Sequence, residues 1–266
     1  MLLPALARAK VRAQAATCLS NQKQLALAWR MYADDNHDLI INMGDANAAG
    51  NVPWRYRTPS PPPVIPAGAS QQTKNMLIVQ QGYKLGGLYQ YAPTVNVDHC
   101  PADARANYPA LPGAATVKPG NFVYGSYSGA GGLNGLAPDF DTWAAAPIQK
   151  ITKQSGILHP SERYVWIEEN DPRTENESWW WFVSGTAPAF SDAQVDDSPA
   201  SWHGTSSTFG WADGHANNHR WLDRAMVVYA LNNDPQKYFD GSAPTFAQTP
   251  RDTYFLANGY ATLRNP

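Results

Sequence analysis

Apolar residues recur at helical spacing from the first residues to Tyr32, and residues 2–36 hold no glycine and only one proline, Pro4. Leu6, Ala9, Ala13, Ala16 and Leu19 trace one face, and Leu25, Ala28, Trp29 and Tyr32 continue it with a drift. Ala, Leu, Gln, Lys and Arg fill the positions between, all strong helix formers. Pro4 is tolerated in a first turn. Asp34, Asp35 and Asn36 end the pattern. A helix of about 33 residues would be roughly 50 Å long, too long for an ordinary element of a compact domain of this size. One end is therefore predicted to project.

After this helix the pattern changes repeatedly. Residues 43–71 are rich in Gly, Ala and Pro and read as an irregular excursion. Residues 72–91 read as a helix broken at Gly82, Gly86 and Gly87. Residues 122–127 alternate like a strand, ahead of a glycine-rich loop at 129–135. Residues 164–169 form a clear strand, with Tyr164, Trp166 and Glu168 on one face and Val165, Ile167 and Glu169 on the other. Residues 179–183 make a second, very aromatic strand. A short helix is expected over 224–231 and an extended tail over 232–266. These elements divide the chain into a helix, residues 1–37, and an α+β head, residues 38–266.

Residues 205–212 and 215–221 read as hairpin arms around Asp213-Gly214. Asp-Gly between β-prone runs is a strong signal for a two-residue type I′ turn, because both residues accept positive φ. With that turn, Ala212 faces His215, Trp211 faces Ala216 and Thr208 faces His219. Phe209 and Trp211 then share one face, and His215, Asn217 and His219 share the other.

Composition adds limits. The 266 residues carry 20 basic and 22 acidic side chains, and 16% are charged. No basic footprint for nucleic acid appears. Gly, Pro, Trp and Tyr are abundant, as in loop-rich, partly β structures. The two cysteines, Cys18 and Cys100, show no metal-type spacing. In an oxidising compartment they could pair, which would stabilise by roughly 4 kcal/mol in the chain-entropy model. The alternative is two buried free thiols.

The segment 202–221 holds three of the six histidines and invites a catalytic or metal reading. Along an extended arm, His203 and Asp213 lie about 25 Å apart, so their spacing suits a fixed hairpin length better than an acid–base dyad. His215 and His219 on a strand lie about 13 Å apart, too far for one zinc ion at about 2.1 Å from each nitrogen. The acidic residues Glu168, Glu169, Asp171, Asp196 and Asp197 make a calcium site the better ion candidate, since calcium takes six to eight oxygens. The competing readings are a solvated acidic rim, or a carboxylate paired with His203 or Arg163. Trp179 and Trp181 fall on one face of their strand and could stack on a sugar or a neighbouring subunit. Serine-hydrolase elbows, phosphate loops and dinucleotide fingerprints are missing.

Several segments, in order, carry a resemblance. They are Leu2-Leu-Pro-Ala-Leu-Ala-Arg-Ala-Lys10, Cys18-Leu-Ser-Asn-Gln-Lys-Gln-Leu25, Trp29-Arg-Met-Tyr-Ala-Asp-Asp-Asn36, Gly87-Leu-Tyr-Gln-Tyr91, Cys100-Pro-Ala-Asp103 and His159 through Glu169. His203, nine residues and Asp213-Gly214 complete the set. Together they resemble the type IV pilin-like and type II secretion pseudopilin proteins of planctomycete and verrucomicrobial type, with their H-x9-DG motif. The resemblance implies a pilin-like α+β fold, a long N-terminal helix packed on an antiparallel sheet with long loops and a C-terminal hairpin. It implies a Cys18–Cys100 disulfide and modestly favours calcium.

The implied function is structural and non-catalytic. Subunits would assemble with themselves and with other pilin-like subunits into a periplasmic or extracellular filament, served by an inner-membrane assembly machinery. The family's processing site and most of its membrane helix have no counterpart in these residues, so the helix is expected to continue upstream, and processing, methylation and anchoring are assigned to no residue here. The alternatives are a secreted carbohydrate-binding or adhesin-like module using Trp179 and Trp181, and a metal-dependent hydrolase built on His203, His215, His219 and the acidic residues.

Overall fold

The structure is a computed structural model that describes residues 2–44, 52–103, 105, 124–133, 151–170, 178–179, 181–182, 194–195, 197–231 and 244–260. Its first element is the helix α1, Leu2–Asp35, of 34 residues. Burial along it is lopsided. Residues 3–10 are exposed on every side, whereas Cys18, Gln22, Leu25, Ala26, Ala28, Trp29 and Ala33 are buried. Leu3 is 81% and Leu6 68% exposed, so the predicted stripe is a core face only from Cys18 onward. Among the described residues no helix is long and apolar enough to cross a membrane.

The helix α2, Gln71–Leu85, starts at Ser70, whose hydroxyl accepts from the Thr73 amide, and ends at Gly86. Among the described residues seven short strands follow: β1 (Tyr127–Ala130), β2 (Tyr164–Glu168), β3 (Ser178–Trp179), β4 (Trp181–Phe182), β5 (Gln194–Val195), β6 (Ser206–Trp211) and β7 (Ala216–Arg220). The helices α3 (Arg224–Ala230) and α4 (Pro250–Gly259) come last among the described residues. The main sheet has the order β3-β1-β2-β6-β7. β1, β2, β6 and β7 pair antiparallel, and the two-residue β3 joins β1 in parallel. The fold is α+β.

Helices cover both faces of this sheet. The C-terminal half of α1 lies on one, where a Cβ on Gly210 would stand 3.0 Å from the Gln22 carbonyl. Gly210 thus lets the helix backbone approach the strand closely. The other face is aromatic. Phe255 of α4 sits edge-on to Phe209 and Trp211, with centroids 5.2 and 6.3 Å away, and stacks on His219 at 3.6 Å. The Tyr164 hydroxyl donates to the Leu256 carbonyl at 2.7 Å.

Several expectations are corrected. The hairpin pairs Phe209 with Asn217, Thr208 with Asn218 and Ser207 with His219. The loop is therefore Ala212-Asp213-Gly214, three residues, closed by bonds from the Gly214 amide to the Trp211 carbonyl and from the Trp211 amide to the His215 carbonyl, both 2.9 Å. Gly214 has φ +92° and Asp213 no positive φ, the pattern of a type I turn followed by a left-handed residue rather than type I′. A one-residue shift flips a strand's faces. His215, Asn217 and His219 consequently share the Phe209–Trp211 face: Trp211 stacks on His215 at 5.3 Å and its indole donates to Asn217 at 2.9 Å.

In β2 the register shifts between Tyr164 and Trp166. That bulge turns Tyr164 toward Phe209 and Tyr260 while Trp166 packs on Trp54 at 4.8 Å on the opposite face. The β1 strand lies at 127–130, so it shares only Tyr127 with the expected strand at 122–127 and runs into the predicted glycine-rich loop; 124–126 are not strand, and 122–123 lie outside the described residues. The expected aromatic strand at 179–183 is two pieces in two sheets: Trp179 pairs with Ala130, and Trp181 with Val195. The supposed extended tail contains α4. Thr249, Pro250 at the first helical position and Asp252 in the first turn are the start signal that betrays it.

Candidate functional site: a buried disulfide–histidine–glutamate cluster

Four distant segments bring one ligand-bearing atom each to a common point beside α1. Cys18 comes from the middle of that helix, Cys100 from the loop after the 3-10 turn Val95–Asp98, Glu168 from the end of β2, and His203 from the loop entering β6. Cys18 and Cys100 form a disulfide with Cα atoms 5.3 Å apart. His203 Nε2 lies 2.9 Å from Glu168 Oε1 and 3.5 Å from Cys100 Sγ. The other carboxylate oxygen accepts from the Thr208 amide at 2.9 Å and the Ser207 hydroxyl at 3.3 Å. Cys18, Cys100 and Glu168 have no exposure, and His203 has 7%. His203 Nδ1 is buried and has no hydrogen-bond partner.

A buried carboxylate needs its donors, because an unpaired charge in the interior costs several kcal/mol. Here the donors are a ring nitrogen, a hydroxyl and a backbone amide left free where the β2–β6 ladder ends. The polar network continues outward. The Cys100 amide donates to Ser126 Oγ at 3.0 Å, and that hydroxyl donates to Asp103 at 2.8 Å. Arg105 bonds both Asp103 oxygens, at 3.0 and 2.7 Å, while its guanidinium lies 4.8 Å from the Trp202 ring centre. On the other side, Asn21 donates to the His99 carbonyl at 3.0 Å and approaches the Tyr127 hydroxyl at 3.4 Å. Burial first, and the Glu168 charge second, hold the Tyr127 phenol well above its ordinary value.

The spacing of His203 and Asp213-Gly214 now has a geometric meaning. His203 sits in the cluster around Cys18. At the other end of β6, Arg30 Nη1 donates to the Asp213 carbonyl, and a Cβ on Gly214 would meet the Leu27 side chain at 3.0 Å. Cys18 to Arg30 spans about 18 Å of helix, and a six-residue strand spans about 20 Å. The arm runs alongside α1 and is pinned to it at both ends. His203 and Asp213 do not touch: the former pairs with Glu168, and the latter accepts from His215 Nδ1 at 2.6 Å.

The remaining sequence candidates are dispersed. His219 faces Asp252 at 3.3 Å, away from His203. Glu168 and Glu169 project to opposite faces, as successive strand residues must, and the Ser128 hydroxyl donates to Glu169. One calcium ion therefore cannot use both, and Asp197 is buried at 3% exposure. Asp171 and Asp196 lie outside the described residues, as do the side chains of Trp179 and Trp181. Comparison with known proteins gives no relative: no family model, no curated protein and no solved structure matches the chain.

The pairing of Glu168 with His203 was one of several carboxylate readings open from the sequence. Their convergence with both cysteines was not legible, because no local spacing links residues 18, 100, 168 and 203. Sequence reasoning also missed Asp223 and Asp252. The Asp252 carboxylate accepts from the Leu222 and Asp223 amides, and Asp223 accepts from the Arg251 and Asp252 amides. These reciprocal bonds dock the start of α4 on the chain that leaves β7.

Proposed function

We propose that this protein is a structural, non-catalytic subunit of a pilin-like or pseudopilin filament of the type IV pilus or type II secretion kind. The observation that carries this reading is the unequal burial of α1. From Cys18 to Ala33 the helix is part of the core, and a disulfide ties it down at Cys18. Before that point, Val11, Gln14 and Ala15 are half-buried and Gln14 donates to the Pro101 carbonyl at 2.6 Å, but residues 3–10, about 12 Å of helix, stand clear of the body with Leu3 and Leu6 in the open.

A helix of that length is marginal in water on its own and gains most of its stability from packing. The small and apolar residues of this half, Leu3, Leu6, Ala9, Ala13 and Ala16, suit close packing against the same helix of other subunits. The covalent tie and the pinned hairpin arm suit a head that must transmit load to its helix. Self-association, contact with other pilin-like subunits and delivery by an inner-membrane machinery follow from this reading, as does a position in the cell envelope.

The test is site-specific photo-crosslinking in the native host. A crosslinker at Leu6 is expected to give a ladder of subunit multimers, and one at Leu222, 52% exposed on the head, to give monomer. Monomer from both positions, together with the absence of filaments by electron microscopy, would overturn the proposal.

A further inference from the structure

The group Cys18, Cys100, Glu168 and His203 is the one cluster of potential metal-binding side chains among the described residues, with its ligand atoms within 4.8 Å of one another. We propose that, before the two sulfurs are oxidised, this cluster is a four-coordinate zinc site, and that disulfide formation closes it. The inference does not depend on the filament reading.

The donor set is of the kind zinc takes: two thiolates, one imidazole nitrogen and one carboxylate oxygen. Distances decide whether one ion can reach all four. With zinc–sulfur bonds of about 2.3 Å and zinc–nitrogen and zinc–oxygen bonds of about 2.0–2.2 Å, tetrahedral angles set the ligand separations. Sulfur and nitrogen then lie roughly 3.5 Å apart, nitrogen and oxygen roughly 3.4 Å, and the two sulfurs roughly 3.8 Å. Cys100 Sγ and His203 Nε2 are already 3.5 Å apart. The His203–Glu168 pair at 2.9 Å must open by about half an ångström, and the sulfurs must separate from bonding distance.

The surroundings favour a metal as well. The proton shared by His203 Nε2 and Glu168 Oε1 occupies the place an ion would take. When zinc binds Nε2, the ring proton moves to the buried Nδ1, which has no partner in the oxidised fold and must gain an acceptor there. The second carboxylate oxygen keeps its bonds from the Thr208 amide and the Ser207 hydroxyl, which fix the orientation of a ligating carboxylate.

The redox step balances as follows. A phosphine reductant breaks the S–S bond, gives two thiols and is oxidised to the phosphine oxide with oxygen from water. Zinc then replaces the two thiol protons, which leave to solvent, because metal binding requires thiolates. Reoxidation by a disulfide-exchange partner removes two electrons as the sulfurs rejoin, and the ion is released.

The test uses the full chain, reduced with the phosphine and titrated anaerobically with cobalt(II) as a spectroscopic probe for zinc. The expected result is one cobalt per chain, with a thiolate-to-cobalt charge-transfer band and the visible bands of tetrahedral coordination, and with zinc displacing it. The oxidised chain is expected to bind none. His203→Ala and Glu168→Ala should weaken binding by more than the about 10- to 100-fold that loss of an outer-shell partner costs. His159→Ala, an exposed position, should leave binding as it was. If the reduced chain loses its near-ultraviolet circular dichroism, zinc should restore it. The proposal is overturned if the oxidised chain binds equally well, if His203→Ala binds as tightly as the parent, or if zinc fails to restore the fold of a reduced chain that has lost it.

Discussion

On the α1 face of the sheet, beside the packed Trp54–Trp166 pair, run covalent and directional contacts: the Cys18–Cys100 disulfide, His203 on Glu168, Glu168 on the Thr208 amide, and Gln22 donating to the Thr208 carbonyl at 3.2 Å. On the α4 face they are rings against rings, with Tyr164, Phe209, Trp211, His219, Phe255 and Tyr260 packed at centroid distances from 3.6 to 6.4 Å. The two layers solve different problems. Ring packing buries much area and tolerates small shifts. A bonded knot fixes register, and it sits at Cys18, where α1 passes from its exposed segment into the core.

The largest effect should come from cutting the covalent tie. Removing the disulfide, which closes a loop of sequence separation 82, through Cys18→Ala with Cys100→Ala is expected to cost about 4 to 5 kcal/mol on the chain-entropy estimate. Denaturant unfolding measures it. The parent chain under reductant and chelator should fall to the same stability, which separates the loss of the bond from the loss of sulfur volume. On the opposite face, Phe209→Ala should cost about 3 to 4 kcal/mol through the cavity left among the rings. That loss should be equal with and without reductant. A Phe209→Ala cost that changes with redox state would show that the two faces are coupled.

Glu168→Gln probes the knot without breaking it. The amide keeps one acceptor oxygen, but its NH2 turns toward donors that previously met a carboxylate, so a cost of about 1 to 3 kcal/mol is expected. It should be largest while the disulfide is intact.

Alkaline pH strikes both faces. Tyr127 on the α1 side and Tyr164 on the α4 side are held well above the ordinary tyrosine value, chiefly by burial, and Tyr83 is pushed up for the same first reason. In the unfolded chain these phenols ionise near pH 10, while in the fold they stay protonated. Above that pH the unfolded state binds fewer protons, so stability falls as pH rises, and below it the full contribution is present. Each buried phenol should contribute a slope of about 1.4 kcal/mol per pH unit. Tyr164→Phe should flatten the decline by one such slope; an unchanged slope would mean that this phenol ionises within the fold.

Much of the architecture could be read from local signals, and the misses share a cause. The N-terminal helix needed only its unbroken run of helix formers, and the hairpin needed only Asp-Gly between β-prone arms. The face assignments failed where one residue decided the register. Tyr164 and Trp166 look equivalent in an alternating strand until the bulge between them is known. Phe209 and His219 look like opposite faces until the loop is counted as three residues. The Cys18–Glu168–His203 cluster exists only as a long-range convergence. Residue spacing carries no trace of it, although the fixed distance from His203 to Gly214 does record the length of the arm.

The smallest expected effect tests that last point. In a two-residue type I′ turn both Asp213 and Gly214 would need positive φ, and glycine at 213 would be welcome. In the observed loop only Gly214 has it, at φ +92°, while the Asp213 carboxylate accepts from the His215 amide at 3.1 Å. Gly214→Ala should therefore cost about 1 to 2 kcal/mol from the left-handed conformation. Gly214→Asn should cost less, since asparagine visits that region. Asp213→Gly should destabilise by about 1 kcal/mol rather than stabilise. Magnetic resonance then decides the register. Cross-strand Hα contacts are expected between Thr208 and Asn218; contacts between Thr208 and His219 would restore the two-residue turn. They would also return His219 to the face opposite Phe209, and the contrast between a bonded face and a ring-packed face would lose one of its members.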